Sequence, residues 1–244
     1  VTREEVGAVI SEDRDAQVRR LAVTALPNVK EEESQRQERG RSLKARHWMV
    51  RYEAVRVWRQ LFANTDCGPL LQALSDSVHH VRLAAIDALG GPCPEQDTVV
   101  QALLRTIESG PTGVSRRTAS GVSWQARAHA LVSMARIDPK GVGELLRRDV
   151  RHPVWQVRMY VARAATVTKD SLLLTTMALD QVGSVREVAI QGLSATLGHL
   201  PDLVFVKALT SKDYPVVLAA ARALRGSKAR DSVVIGALDA LDRI

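Results

Sequence analysis

The sequence predicts an all-α fold in which about seven helical hairpins stack into a solenoid. Three observations carry this reading. A Val-Arg or Ala-Arg pair recurs at Val18-Arg19, Val50-Arg51, Val81-Arg82, Ala126-Arg127, Val157-Arg158 and Val185-Arg186, with Val216-Val217 as a degenerate seventh copy. The spacings are 32, 31, 45, 31, 28 and 31 residues, so one unit repeats and is interrupted once by an insertion. A fixed period of this size is the signature of a repeat architecture in which each unit buries its apolar face only against its neighbours. No stretch alternates strongly enough to read as a strand.

Each unit reads as two helices, and the second carries the pair. In the segment 15–26, Val18, Ala22, Ala25 and Leu26 fall on one side at helical spacing. Three residues after the arginine stands Ala22, Ala54, Ala85, Ala130, Ala189 or Ala220, with Val161 as the exception, which lets neighbouring backbones approach closely. The first helices are amphipathic over 99–107, 142–150, 172–179, 203–209 and 233–241. Several follow residues that favour a helix start, namely Asp97, Pro139, Ser171 and Pro201-Asp202.

Two segments break the pattern within what otherwise reads as a single domain, 1–244. Residues 30–46 occupy the slot of a first helix but offer Leu43 as their only large apolar side chain, so they read either as a highly exposed helix or as partly disordered. Residues 109–122 form the insertion, and their Gly, Ser and Pro content marks a flexible loop. The chain stops inside an apolar pattern, which a terminal repeat normally avoids; the sequence therefore reads as a piece of a longer protein.

At this point the residues resemble a family. The pattern of Asp or Pro, two residues, Val-Arg, two residues, Ala, three residues and Leu on the second helix is similar to HEAT repeats, in particular the short bacterial kind related to phycobilisome lyases. The resemblance covers essentially the whole chain and implies a right-handed α-α superhelix. It also implies that the Arg column is a ladder reaching toward acidic residues and helix ends of adjacent repeats. Asp13, Asp15, Asp76 and Asp213 match the acidic turn position, whereas the repeats beginning at Trp48, Trp124 and Trp155 carry no aspartate there. A narrower resemblance, through 155–165, 185–193 and 213–221, is to the HEAT region ahead of cyclophilin-type peptidyl-prolyl isomerase domains in some soil bacteria. It implies a catalytic domain beyond Ile244.

Composition narrows the function classes. No apolar run approaches the ~20 residues that a membrane-spanning helix needs, so membrane insertion is not expected. The formal net charge of +7 sits in one region: eleven Lys and Arg stand against four acids from Arg105 to Arg163, while the rest holds 23 of each sign. Cys67 and Cys93 are wrongly spaced for a zinc site. Both follow the second helices of consecutive repeats, which leaves either a disulfide or two free thiols. The six histidines form no i, i+4 ligand pair, and no phosphate loop, dinucleotide fingerprint or nucleophile elbow occurs. No catalytic, cofactor-binding or metal-ligating residue is assigned.

What the repeats do offer is a surface. The second helices should present the residues two and six positions after the repeating Val, and in the middle of the chain these are apolar with arginines beside them. This selects Tyr52, Arg56, Leu83, Val132, Met159, Arg163 and Arg222, and with them Tyr160 next to Met159, as candidates for a groove that holds a protein or peptide partner, since apolar anchors contribute affinity and rim charges steer. Arg116 and Arg117 in the insertion are candidate loop contacts. The expected function is a non-catalytic interaction scaffold. The alternatives are the substrate-presenting region of a cyclophilin-type isomerase and a nucleic-acid binder using the basic middle third. A column of Trp48, His79, Trp124, Trp155 and Tyr214, two residues before the Val, reads as packing at helix starts rather than as a base-stacking ladder.

Overall fold

A computed structural model describes residues 3–25, 40–109, 124–227 and 235. Among them are thirteen helices and no strand. The chain divides into two compact units, Val1–Ser109 and Gly110–Ile244, and the division falls at the insertion. Residues 26–39, 110–123 and, apart from 235, 228–244 lie outside the described residues, including Leu26, Arg116 and Arg117.

The first unit holds α1 (Arg3–Glu12), α2 (Ala16–Ala25), α3 (Trp48–Phe62), α4 (Gly68–Ala73), α5 (His79–Leu89) and α6 (Gln96–Ser109). The second holds α7 (Trp124–Ile137), α8 (Gly143–Asp149), α9 (Trp155–Thr168), α10 (Ser171–Met177), α11 (Gly183–Leu197), α12 (Asp202–Ala208) and α13 (Tyr214–Ala223). The pair-bearing helices stack in series, α2 on α3 on α5 in one unit and α7 on α9 on α11 on α13 in the other. The first helices α1, α4, α8, α10 and α12 each pack on the second helix that follows them. The predicted hairpin repeat is therefore the unit of packing.

The residue three after the arginine is buried in every repeat but the first, where Ala22 is half-buried. Ala54, Ala85, Ala130, Val161, Ala189 and Ala220 are all buried, as are Val50, Val81, Val157, Val185 and Val216. Val18 departs from the column, being 39% exposed, and Val23 is the buried residue of α2. Leu43 packs with Ala22 and Ala45 against the cluster of Val6, Ile10, Val23, Val50, Ala54 and Val57, so the end of the irregular segment is held by the N-terminal core. Neighbouring helices approach closely at Gly192 in α11, where a Cβ would come within 2.3 Å of the Thr166 hydroxyl in α9 and 2.8 Å of Leu174 in α10.

Helix ends follow local chemistry. Asp170 accepts the Leu173 N–H at 3.0 Å and starts α10, while prolines stand in the first turns of α4 and α13, where a missing N–H costs nothing. Lys169 closes α9 in the left-handed conformation, φ 58°. Cys67 and Cys93 are joined in a disulfide, with their Cα atoms 5.9 Å apart, which resolves the alternatives left open by the sequence.

Candidate functional site

The arginine column makes two kinds of contact, and together they explain the repeat. One guanidinium nitrogen closes the arginine's own hairpin by donating to carbonyls in the preceding turn. Arg51 reaches Ala45 and Arg46, Arg82 reaches Asp76 and Ser77, Arg158 reaches His152, and Arg186 reaches Asp180 and Gln181, at 2.6–3.1 Å. Arg19 does the same to Asp13. The other nitrogens cross to an aspartate of the next repeat. Arg51 pairs with Asp76 at 2.6 and 2.9 Å, Arg127 with Asp149 at 2.8 and 2.7 Å, and Arg158 with Asp180 at 2.7 and 2.9 Å. Arg186 pairs with Asp213. Bidentate guanidinium-carboxylate pairs are both strong and directional, so each rung fixes the stacking of one hairpin on the next.

These arginines are structural, which changes the meaning of the basic middle third. Of its eleven cations, Arg127 and Arg158 are neutralised by buried or half-buried aspartates and Arg147 pairs with Glu144 at 2.8 Å.

Asp76 and Asp180 carry a pH signature. Burial pushes each carboxyl up, yet the hydrogen bonds from Arg51 to Asp76 and from Arg158 to Asp180, the N–H groups of Val78 and Val182, and the charges of Arg82 and Arg186 outweigh it. Both carboxyls are held below the ordinary aspartate range. A depressed folded-state pKa adds stability that is present above the unfolded value of about 3.9 and is lost as pH falls through the folded value. The urea midpoint is therefore expected to drop as pH falls below about 4. Asp76→Asn with Asp180→Asn should start lower and lose part of that acid limb; an acid limb as steep as the wild type's would contradict the assignment.

On the other side of the same helices lies the cluster with chemistry to offer a partner. Tyr160 in α9 hydrogen-bonds through its hydroxyl to Nε2 of His129 in α7 at 3.0 Å, with ring centroids 4.9 Å apart. The Arg163 guanidinium lies over the Tyr160 ring, 4.6 Å from its centroid. His129 and Tyr160 occupy the same place in successive repeats, three residues after Ala126 and Val157. Val132 and Met159 are half-buried on these helices, Arg163 is exposed, and Arg222 is exposed on α13. In the first unit the corresponding place holds Glu53, which is buried, 3.4 Å from Arg56 and 4.0 Å from Arg20. Tyr52 and Leu83 are half-buried on α3 and α5.

The structure thus brings Tyr160 and Arg163 together. It places Tyr52, Arg56 and Leu83 in a different unit from the remaining candidates. Sequence reasoning singled out Tyr160 but missed His129 and Glu53, because the position three after the repeating Val was read in that one repeat and not followed along the column; its sequence signal was a histidine and a tyrosine in register 31 residues apart.

The aromatic column is mixed: Trp155 and Tyr214 are exposed, and Trp48, also exposed on one side, makes a ring contact. Trp48 stacks on His80 of the next repeat, 5.5 Å between centroids. Gly183 interrupts the column because a Cβ there would meet the Asp213 side chain at 2.8 Å. Among the described residues, Cys67, Cys93 and Glu95 place potential metal-ligating atoms within 4.8 Å of one another, but the two sulfurs are bonded to each other. No helix among the described residues is long and apolar enough to cross a membrane.

No family model matches the chain, and no curated protein matches it significantly. Solved structures do. The complex of CpcE and CpcF of phycocyanin lyase from Nostoc sp. PCC7120 aligns with a TM-score of 0.60 at 18% identity, covering 100% of this chain and 94% of that one. The X-ray structure of YibA from Escherichia coli aligns with a TM-score of 0.57 at 19% identity, covering 95% and 92%. The fold is the HEAT-like helical solenoid that the resemblance implied.

Proposed function

We propose that this chain is a non-catalytic scaffold that holds a protein or peptide partner on the exposed face of its second helices. The observation that carries the reading is the His129-Tyr160-Arg163 cluster beside Val132 and Met159. An aromatic ring fixed by a hydrogen bond and covered by a guanidinium, next to half-buried apolar side chains, is the composition of an interface anchor, in which Tyr, Met and Arg are enriched. The similar Nostoc structure is itself a complex of two proteins, which agrees with this use of the fold.

Nucleic-acid binding through the middle third loses support from the burial of Arg127 and the pairing of Arg158, since phosphate contacts need exposed cations. The isomerase-associated reading rests on sequence resemblance alone.

The test is quantitative affinity purification from the source cell at two salt concentrations, with and without nuclease, comparing the wild type with a Met159→Glu/Arg163→Glu variant. One or a few proteins are expected to survive nuclease and to fall at least about tenfold on the variant, the size of effect that a central anchor residue gives. Capture that disappears with nuclease, or that is equal on both baits, would overturn the proposal.

A further inference from the structure

The first helices carry a second surface that the groove of the second helices does not use. Leu172 in α10, Leu179 in the turn after it and Leu203 in α12 are 83%, 68% and 84% exposed. Single exposed leucines are ordinary, but several around one depression mark an interaction site. Between α10 and α12 runs a groove of about 760 Å³ with Leu179 and Leu203 on its walls and Ala178, Val204 and Ala208 among its lining. Small side chains there leave room for a partner's large ones.

Charge decides what fits. Three of its ionised lining groups are already paired: Asp180 is held by Arg158, and Arg186 by Asp213. Lys207 and Lys212 also line it, and neither pairs with a carboxylate among the described residues. The groove thus combines apolar side chains with a polar border that is cationic in net charge. Its walls are α10, α12 and the turns that follow them, and the N–H groups of Ala178, Leu179, Asp180, Thr210, Ser211 and Asp213 in those turns are already bonded, so an extended peptide would find few partners for its own backbone. A helix brings those bonds with it.

We infer that the groove between α10 and α12 is a docking site for an amphipathic helix of a partner protein. Its apolar residues recur at three- and four-residue spacing, and aspartates or glutamates flank them. α10 is only seven residues long, about 10 Å at 1.5 Å per residue, so the helix need engage only two or three turns. This site is independent of the His129-Tyr160-Arg163 surface.

The test is a display selection of random 16-residue peptides on the whole chain, followed by fluorescence anisotropy with the most enriched peptide. Enriched sequences are expected to combine apolar residues at i, i+4 and i+7 with acidic flanks. Leu179→Glu/Leu203→Glu should weaken that peptide at least tenfold with the circular dichroism spectrum unchanged. Lys207→Glu/Lys212→Glu, which leaves the leucines intact, should turn the selected flanks basic, while Met159→Glu/Arg163→Glu should change nothing. No enrichment, no acidic bias, or binding indifferent to both groove variants overturns the inference. So does either of two other occupants. Concentration-dependent dimerisation in sedimentation velocity, lost in Leu179→Glu/Leu203→Glu, would assign the groove to a second copy; flotation with phosphatidylglycerol vesicles, lost in the same variant, would assign it to a lipid surface.

Discussion

Replacing Asp149 with alanine is expected to destabilise the protein by about 3–5 kcal/mol, the cost of leaving a buried charge without its partner. The pair it breaks is the most enclosed of the ladder, with side-chain exposures of 2% for Arg127 and 3% for Asp149. The same two side-chain types recur at Arg51-Asp76 (13% and 10%), Arg158-Asp180 (14% and 11%) and Arg186-Asp213 (20% and 50%). The four rungs therefore form a series in which the guanidinium-carboxylate pair recurs and burial varies, with Asp76 and Asp180 also accepting a helix-start N–H. Water that reaches the carboxylate solvates the arginine left behind, so the cost of Asp→Ala should fall from Asp149 through Asp76 and Asp180 to Asp213, where exposed pairs contribute about 0–1 kcal/mol. Arg127→Met with Asp149→Leu should recover most of the loss, because replacing both members removes the unpaired charge as well as the attraction. Urea denaturation of the four single variants and the double variant measures the order; equal losses at all four positions would mean that the ladder does not stabilise by pairing.

The rung at Asp149 also shows where reading the sequence stops. The Val-Arg register, the small residue after it and the first helices of the second unit were legible because each is a periodic requirement of stacking hairpins. The observed α8, α10 and α12 begin and end within two residues of the expected 142–150, 172–179 and 203–209. The carboxylate was not legible at Arg127, because two jobs that one residue does elsewhere are divided there. Asp76 both accepts the Val78 N–H at 2.7 Å and receives Arg51, and Asp180 does the same for Val182 and Arg158. Before α9, His152 Nδ1 accepts the Val154 N–H at 3.1 Å, while Asp149, at the end of α8, takes the arginine. Before α13 the division recurs: Ser211 accepts the Asp213 N–H, and Asp213 pairs with Arg186. A column scanned for one residue type misses a function shared between two. The anchor cluster was half legible for a related reason. Tyr160 and Arg163 stood out singly, but a hydrogen bond across 31 residues to His129 depends on how far apart two helices sit.

Reducing the Cys67-Cys93 disulfide is expected to lower stability by about 3.5 kcal/mol, the loop-closure entropy for a separation of 26 residues. The bridge ties the turn before α4 to the turn after α5, and so spans one hairpin of the first unit. Glu95 adds to the same corner, with its carboxylate 3.3 Å from the Cys67 N–H. Cys93→Ser is the cleaner variant, because Cys67 is 1% exposed and its replacement would also disturb packing. Urea denaturation with and without a reducing agent should show a large difference in the wild type and none in Cys93→Ser, whose midpoint should match that of the reduced wild type. The ladder offers an internal control, since Asp149 lies in the other unit. If the units unfold separately, reduction should move the transition of the first and leave that of the second, and Asp149→Ala should do the reverse. A wild-type midpoint unchanged by reduction would mean that the bridge constrains neither the folded nor the unfolded chain.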